Sequence, residues 1–320
     1  AAELGLDAVE LRRRNTLRVG SATSTGQVLR ESAGLVECID KVDAEMRQGD
    51  FRWTWDDGER RFAWGTAVAY KNTGLGGGAP DKATAIVEAW QDEIRGRVAE
   101  VRISSAEMGQ GLPGVLAACA AEELGTIADN VTVLLGDTDV CPDGGPTTAS
   151  RQTFVSGNAA RLAAAEAARQ LNEAPDKTAH ARYEYEAPAT QPLGTGGDMH
   201  VAFSYCAEAA LCEVDMRTGE VSVHKVIAAH DVGRAINPLT LEGQIEGGIV
   251  MGVGFTLTEH FIQEDGKPWT HVMARYKTPS IEHAPAITSF IVEDPVEAGP
   301  FGAKGVGELP SIPVSAAITN

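Results

Sequence analysis

The sequence predicts an α+β fold of two subdomains, in which mixed sheets pack against helices. Two patterns support this fold class. In some segments apolar residues recur every three or four positions, and others are short runs rich in β-branched residues. At 320 residues the chain can bury one large core or two medium ones. We place a helical segment at 1–60, a first subdomain at 61–180 and a second at 181–320.

Four longer segments are predicted to be helices: 34–49, 112–125, 156–172 and 241–261. In the first, apolar residues from Leu35 to Met46 share one face, and Gly49 is a natural C-cap. The third is rich in alanine. The fourth is unusually rich in glycine, which typically marks close backbone packing or the approach of a ligand.

The predicted strands lie at 61–71, 83–90, 96–104 and 131–137, and a hairpin joins 203–216 to 221–233 through the turn Arg-Thr-Gly-Glu. Residues 174–200 contain several prolines and glycines, so we predict a linker there. Asp7 reads as the N-cap of a short helix near the start of the chain. The chain lacks an initial Met and opens in a helical pattern, so we expect it to continue from an upstream part.

Composition excludes several classes of partner. Lys and Arg number 27 against 45 Asp and Glu, a net charge of −18, which disfavours nucleic acid as a partner. No apolar stretch is long enough to span a bilayer, so we expect no membrane partner. The five cysteines form no CxxC pair and no zinc or iron–sulfur spacing. Buried free thiols in a reducing, cytoplasmic compartment are expected.

Two polar loops that precede helices are candidate binding segments. In "SAEMGQGLPG" (105–114), Gln110 lies between two glycines before a helix start, where unpaired N–H groups suit an anion. A plain strand-to-helix turn is the alternative. In 136–159, hydroxyls, an amide and Arg151 cluster within seven residues, a mixture suited to phosphate. A Ser/Thr-rich surface loop is the alternative there, and no Walker motif is present.

Two further segments follow the predicted hairpin. "HDVGRAINPLTLEGQIEGG" (230–248) leads into the glycine-rich helix and carries Gln244 in its first turns. His230 and Asp231 are adjacent on a strand and so point to opposite faces, which disfavours a Ser–His–Asp hydrolase. "GPFGAKGVGELP" (299–310) ends a run of glycines with the single acid Glu308. Glycines at this density let the backbone approach a ligand closely.

Taken together, "EMGQG", "PTTASRQT…GNA", "DVGRAINP…EGQIEGG" and "GAKGVGE" resemble the molybdenum-cofactor subunit of the xanthine dehydrogenase/aldehyde oxidase family. The four motifs occur in that family's order, and they correspond to the C-terminal half of its subunit. The resemblance implies the fold of a molybdenum-hydroxylase C-terminal domain. One departure is Leu309-Pro310, where the family commonly has Pro-Pro or Pro-Ser after its glutamate.

The resemblance also implies roles for individual residues. Glu308, preceded by Gly307, corresponds to the catalytic base. Gln244 corresponds to a glutamine beside the metal, and no residue binds molybdenum directly. The pterin dithiolene contacts correspond to Met108, Gly109 and Gln110. The phosphate loop that passes close to the metal corresponds to Thr147, Ala149, Ser150, Arg151 and Gln152.

By the same resemblance, the protein would be part of a molybdenum hydroxylase that oxidatively hydroxylates an N-heterocycle, such as a xanthine-like compound, or an aldehyde. Its cofactor would be molybdenum–molybdopterin in a cytosine dinucleotide form. [2Fe–2S] clusters and FAD would lie on partner chains or domains, and activity would require them and the upstream half. A non-catalytic module or scaffold chain that binds an anionic nucleotide-like ligand within a complex is the alternative.

Overall fold

The computed structural model of the chain describes residues 1–48 and 54–320. Its larger sheet has five strands in the order β1 (Thr54–Asp56), β2 (Arg60–Thr73), β7 (Ala202–Asp215), β8 (Val221–Asp231) and β11 (Ala286–Val292). The first four strands pair antiparallel, and β11 pairs parallel with β8. The predicted hairpin is therefore confirmed as β7 and β8.

The second sheet has four strands in the order β5 (Val131–Leu135), β4 (Gly96–Ile103), β3 (Lys82–Asp92) and β6 (Ala179–Glu186). Its β4–β5 pair is parallel and the others are antiparallel. Both sheets are thus mixed, as the α+β prediction requires. A small hairpin of β9 (Gln263–Glu264) and β10 (Lys267–Pro268) stands apart from them.

The helices are α1 (Ala8–Arg14), α2 (Leu35–Gln48), α3 (Leu112–Leu124), α4 (Gly157–Glu173), α5 (Pro238–Leu257), α6 (Met273–Tyr276) and α7 (Ile312–Thr319). The four long predicted helices are present as α2 to α5, and Asp7 caps α1 as predicted. The predicted apolar face of α2 is buried from Leu35 to Met46. Its predicted C-cap, Gly49, lies outside the described residues.

Three apolar clusters hold the layers together. In one, α3 and α4 cover the four-stranded sheet, and the buried alanines of α4 let it lie close to that sheet. In another, α2 covers one face of the five-stranded sheet. In the third, α5 and α7 cover the opposite face of that sheet. All five cysteines are buried and free, as predicted.

Two expectations about the organisation of the fold differ from the structure. The predicted linker at 174–200 contains β6, whose alternating Ala179 and Ala181 are buried against the core. Strand β2 pairs along its whole length with β7, although the predicted boundaries assign these strands to different subdomains. The five-stranded sheet therefore combines strands from both predicted subdomains. The domain boundaries themselves stay a prediction.

Helix α5 shows what its glycines do. A Cβ at Gly252 would overlap the side chain of Val314 on α7, and one at Gly248 would lie 2.7 Å from Pro310. The glycines thus allow close packing of this helix on the segment that follows Glu308. No helix within residues 1–48 and 54–320 is both long and apolar enough to cross a bilayer.

Candidate cofactor-binding site

A cleft of about 380 Å³ brings together segments that are distant in sequence. Three loops and α5 line it. We call residues 105–111, 136–151 and 299–308 the first, second and third loops. The residues that line the cleft are Met108, Gln110, Thr147, Thr148, Ala149, Ser150, Arg151, Gln152, Thr153, Gln244, Val306, Gly307 and Glu308. Every residue predicted from the four motifs is in this set except Gly109, which lies between two of its members.

Glu308 is held at the cleft by two side chains. Ser150 donates its Oγ–H to Glu308 Oε2 at 2.8 Å, and the Glu308 N–H donates to Ser150 Oγ at 3.2 Å. Lys71 Nζ lies 2.8 Å from the same Oε2. The Glu308 side chain is 50% exposed, whereas that of Lys71 is 17% exposed. An acid fixed through one oxygen and open to the cleft is suited to proton transfer.

Lys71 was missed by sequence reasoning. It belongs to β2 and ends an apolar run, "AVAYK", in which a lysine reads as the polar end of a strand. Its ammonium also donates to the main-chain oxygen of Asn72 at 3.0 Å. Only the folding of β2 against the third loop places it beside the acid.

The second loop has a strained backbone at the cleft. Ala149 and Ser150 have φ angles of 51° and 52°, a left-handed conformation that non-glycine residues rarely adopt. A π-helical turn over Gln152–Ser156 then leads into α4. Such backbone features cost free energy and concentrate at functional sites. Here they present the Ser150 hydroxyl to Glu308.

The third loop approaches the second more closely than a side chain would allow. A Cβ at Gly305 would overlap the main-chain oxygen of Ser150. Ser204 on β7 donates to the Gly305 oxygen at 2.5 Å, and the Gly305 N–H donates to Thr73 Oγ1 at 3.0 Å. Gly305 therefore allows the second and third loops to contact each other. This is a role beyond the close approach to a ligand that we predicted for this glycine run.

Thr147 and Gln152 join the first and second loops. Thr147 Oγ1 accepts hydrogen bonds from the Ala106 N–H at 3.0 Å and from Gln152 Nε2 at 2.9 Å. Gln152 Oε1 accepts from Ser105 Oγ at 3.0 Å and also from Ser156 Oγ. These side chains stand at the cleft, and their hydrogen bonds set the spacing of its walls.

Arg151 is placed differently from the prediction. Its side chain is fully buried, and Nε donates to Asp81 Oδ1 at 2.5 Å. Its terminal nitrogens donate at 2.8–2.9 Å to main-chain oxygens, those of Lys82, Gly144 and Pro146. A guanidinium committed in this way cannot also bind a phosphate bidentately. Arg151 instead fixes the course of the second loop.

The start of α3 also differs from the anion site that we predicted. Glu107 places its carboxylate there, with Oε1 accepting from the N–H groups of Gly109 and Gly111 at 2.7 and 3.0 Å. Its Oε2 accepts from the Leu112 N–H at 2.7 Å. The chain thus supplies its own anion to this helix start. Gln110 folds back on the first loop, accepting from the Met108 N–H at 2.6 Å.

A buried ion pair connects the third loop to β8. Lys304 Nζ lies 2.6 Å from Asp231 Oδ2, and both side chains are fully buried. Burial raises the pKa of Asp231, and the Lys304 ammonium opposes that rise. The Lys304 N–H also donates to the Val232 oxygen at 2.9 Å. The "DVG" and "GAK" stretches of the two motifs therefore meet as neighbouring backbone segments.

Gln244 lies at the boundary of two clefts. It lines the main cleft and an adjoining one of about 70 Å³, together with Gln110, Thr153 and Val306. Asn237, which caps α5 by accepting from the Thr240 N–H at 3.3 Å, lines the smaller one. The structure thus places the Gln-containing turn of α5 directly against the first and second loops.

The sequence profile of the molybdopterin cofactor-binding domain family matches residues 37–185 and 167–285. These matches cover more than half of the chain. The chain belongs to the molybdopterin cofactor-binding domain family.

Relatives with named activities share this domain. All of the chain aligns at 31% identity with 45% of the gamma subunit of the 6-hydroxypseudooxynicotine dehydrogenase complex from Paenarthrobacter nicotinovorans. It also aligns in full, at 30% identity, with 47% of the xanthine dehydrogenase molybdenum-binding subunit of Escherichia coli O157:H7. The resemblance to the molybdenum subunits of the xanthine dehydrogenase/aldehyde oxidase family is therefore confirmed.

Solved structures support the same assignment. The aldehyde oxidoreductase of Desulfovibrio desulfuricans superposes with a TM-score of 0.84 at 31% identity, covering 100% of this chain and 36% of that one. Quinoline 2-oxidoreductase from Pseudomonas putida 86 gives 0.78 at 25% identity, covering 99% of this chain and 46% of that one. This molybdopterin cofactor-binding domain chain spans less than half the length of each of these four relatives.

Proposed function

We propose that this chain forms one wall of the active site of a molybdenum hydroxylase, which oxidatively hydroxylates an N-heterocycle or an aldehyde. The observation that carries the proposal is the position of Glu308, fixed by Ser150 and Lys71 at the cleft where all four motifs meet. Relatives named for xanthine, 6-hydroxypseudooxynicotine, quinoline and aldehydes support this substrate class.

The residues at the cleft fit a molybdopterin cofactor. Met108 lines it and is 74% exposed, so its side chain is free to contact a ligand there. The space where a Cβ would stand on Gly109 is open, and its φ of 103° suits glycine alone. We assign Met108, Gly109 and Gln110 to the dithiolene side of the cofactor, and the second loop to its phosphate side. Gln244 would stand beside the metal.

When bound, the molybdenum cofactor supplies the two-electron redox chemistry. The chain's own residues then position and move a proton. Ser150 and Lys71 both contact Glu308 Oε2, so we assign proton transfer to Oε1. A proton acceptor must hold one oxygen free and within reach of the donor, and Oε1 meets the first condition. The strained Ala149–Ser150 backbone and the close approach at Gly305 hold this acid in one place.

The proposal includes the partners that the chain requires. An upstream half would complete the cleft, because the chain covers less than half of its relatives. Iron–sulfur clusters and FAD on partner chains or domains would take the electrons away. We propose a cytosine dinucleotide form for the cofactor and a cytoplasmic location for the complex.

The test is a chemical analysis of the complete complex, purified with its upstream half and partner chains. We expect molybdenum, pterin and cytidine monophosphate released by acid hydrolysis in a 1:1:1 ratio, and reduction of the metal by a heterocycle or an aldehyde. A folded complex without molybdenum and pterin would contradict the proposal and would favour a non-catalytic, anion-binding scaffold. Release of no nucleotide would overturn only the dinucleotide assignment.

A further inference from the structure

Three potential metal ligands form a buried cluster that does not line the cleft. Cys206 and Glu208 lie on β7 and His230 on β8, and all three are among the buried residues of the chain. One ligand atom from each, a thiol sulfur, a carboxylate oxygen and a ring nitrogen, lies within 4.8 Å of the others. Cys206 is the register partner of His230, and Glu208 is two residues further along the strand. The sheet itself therefore places the three side chains on one face.

The polar atoms of this cluster are not satisfied by the described protein. Both carboxylate oxygens of Glu208 and both ring nitrogens of His230 are buried without a hydrogen-bond partner in the described part of the chain. His230 Nε2 and Glu208 Oε1 are 3.4 Å apart, but they do not form a hydrogen bond. Buried polar groups without partners are costly and rare in folded proteins, so an unpaired acid and imidazole at one point require an explanation.

Burial works against the charged form of each group. Glu208 and His230 are both fully buried, so no solvent stabilises their charged forms. The neighbouring side chains on this face are apolar or small: Ala67, Ala210, Val226 and Ala228 of the sheet, with Ile245 and Ile249 of α5. Nothing in this described cluster compensates a carboxylate, whereas a bound cation would do so directly.

We propose that Cys206, Glu208 and His230 bind a structural zinc ion. Zinc accepts thiolate, imidazole and carboxylate ligands together, whereas calcium and magnesium prefer oxygen alone. Zinc–ligand bonds of about 2.0–2.3 Å in a tetrahedron put ligand atoms about 3.3–3.8 Å apart. The 3.4 Å between His230 and Glu208 already matches that spacing, and rotation of side chains would bring the sulfur in. Because the site is enclosed, the second oxygen of Glu208 would close the coordination shell, at a shorter spacing than a fourth tetrahedral ligand would have.

The position of the cluster suggests what the ion would stabilise. Cys206 Sγ is 4.0 Å from the main-chain oxygen of Leu309, the residue that follows Glu308. The ion would therefore tie β7 and β8 together directly behind the turn that carries the acid. It would enter during folding, because the cluster is closed to solvent, and its binding energy would add to the stability of the fold. This role does not depend on the proposed hydroxylase activity.

The test is metal analysis of the complete complex, dialysed against EDTA. We expect about one zinc per chain in the wild type, and less than about a tenth of that in Cys206→Ala and in Glu208→Gln. Cys212→Ala is the matched control, since Cys212 is a buried thiol on the same strand and face, 3.9 Å from the Ile318 oxygen. It should keep its zinc.

X-ray absorption at the zinc edge of the wild type covers the case in which the variants fail to fold. We expect one sulfur at about 2.3 Å and nitrogen or oxygen ligands at about 2.0 Å. Any of three results would overturn the proposal: wild-type protein without zinc, full retention of zinc by Cys206→Ala, or a zinc coordination shell without sulfur.

Discussion

Ser150 and Glu308 are joined by two hydrogen bonds although they are 158 residues apart. The serine hydroxyl donates to the carboxylate and accepts from the main-chain N–H of the same residue. One small side chain thus fixes both the backbone and the acid group of Glu308. The position of the proposed base therefore depends on the second loop as much as on its own.

Removing this hydroxyl should weaken catalysis and spare cofactor binding. In Ser150→Ala the acid loses a charge-assisted hydrogen bond, worth about 1.5 kcal/mol or more, while the left-handed backbone is unchanged. We expect turnover per molybdenum to fall about tenfold, measured in the complete complex. Ser289→Ala, which removes a hydroxyl that bonds Glu242 on the surface, is the control and should match wild type. Unchanged turnover in Ser150→Ala would mean that the serine does not position Glu308.

Lys71 should matter for the same reason. Lys71→Met keeps the length of the side chain and removes the ammonium group that lies 2.8 Å from the acid. We expect kcat to fall by at least about fivefold, because the carboxylate loses a charged partner. Lys82→Met is the control, since Lys82 pairs loosely with Glu184 at 3.7 Å on the second sheet. A rise in KM with kcat unchanged would instead make Lys71 a substrate-binding residue.

Gly305 tests the close approach of the loops. Alanine there would overlap the Ser150 oxygen, so the third loop must move away from the second. We expect Gly305→Ala to lose most activity and much of its molybdenum. Gly247→Ala is the matched control, because nothing lies within 4 Å of the position its Cβ would take. Equal activity in the two variants would show that the contact is dispensable.

Arg151 should prove to be a stability residue. Arg151→Ala leaves the buried Asp81 without its charged partner and frees three main-chain oxygens. Breaking a buried pair in this way costs about 3–5 kcal/mol of the free energy of unfolding. Thermal unfolding should show this loss, whereas Arg169→Ala, at an exposed ion pair on α4, should leave it nearly unchanged. Normal stability with reduced cofactor content would restore the phosphate-binding role.

Local patterns sufficed for much of the fold and for the membership of the cleft. The apolar face of α2, the hairpin of β7 and β8, and the cap at Asp7 are each encoded within a few neighbouring residues. The cleft residues were found because glycine and polar side chains cluster in four short segments, and because these segments resemble the motifs of a known family. Such clusters mark loops that meet, even when the contacts between them are unknown.

The contacts themselves depend on residues far apart in sequence. The partner of Arg151 is Asp81, 70 residues away, and nothing near Arg151 indicates that its side chain is buried. Lys71 lies at the end of an apolar run in β2, so the sequence pattern does not indicate a functional role for it. At the start of α3 we predicted unpaired N–H groups for an anionic ligand, whereas Glu107 accepts hydrogen bonds from them. The prolines and glycines that flank β6 led us to predict a linker there, although buried and exposed residues alternate at the start of the strand.

The central claim is that Glu308 is the base, and it is tested most directly by the rate at which substrate reduces molybdenum in the Glu308→Gln complex, normalised to metal content. The amide keeps the shape of the side chain but cannot accept the proton, so cofactor content should survive. General-base contributions run to about 10²–10⁴-fold, and we predict a loss at the upper end. Glu297→Gln, at an exposed acid in the same region, should react like wild type. A Glu308→Gln rate within about threefold of wild type, against that range of general-base effects, would contradict the account.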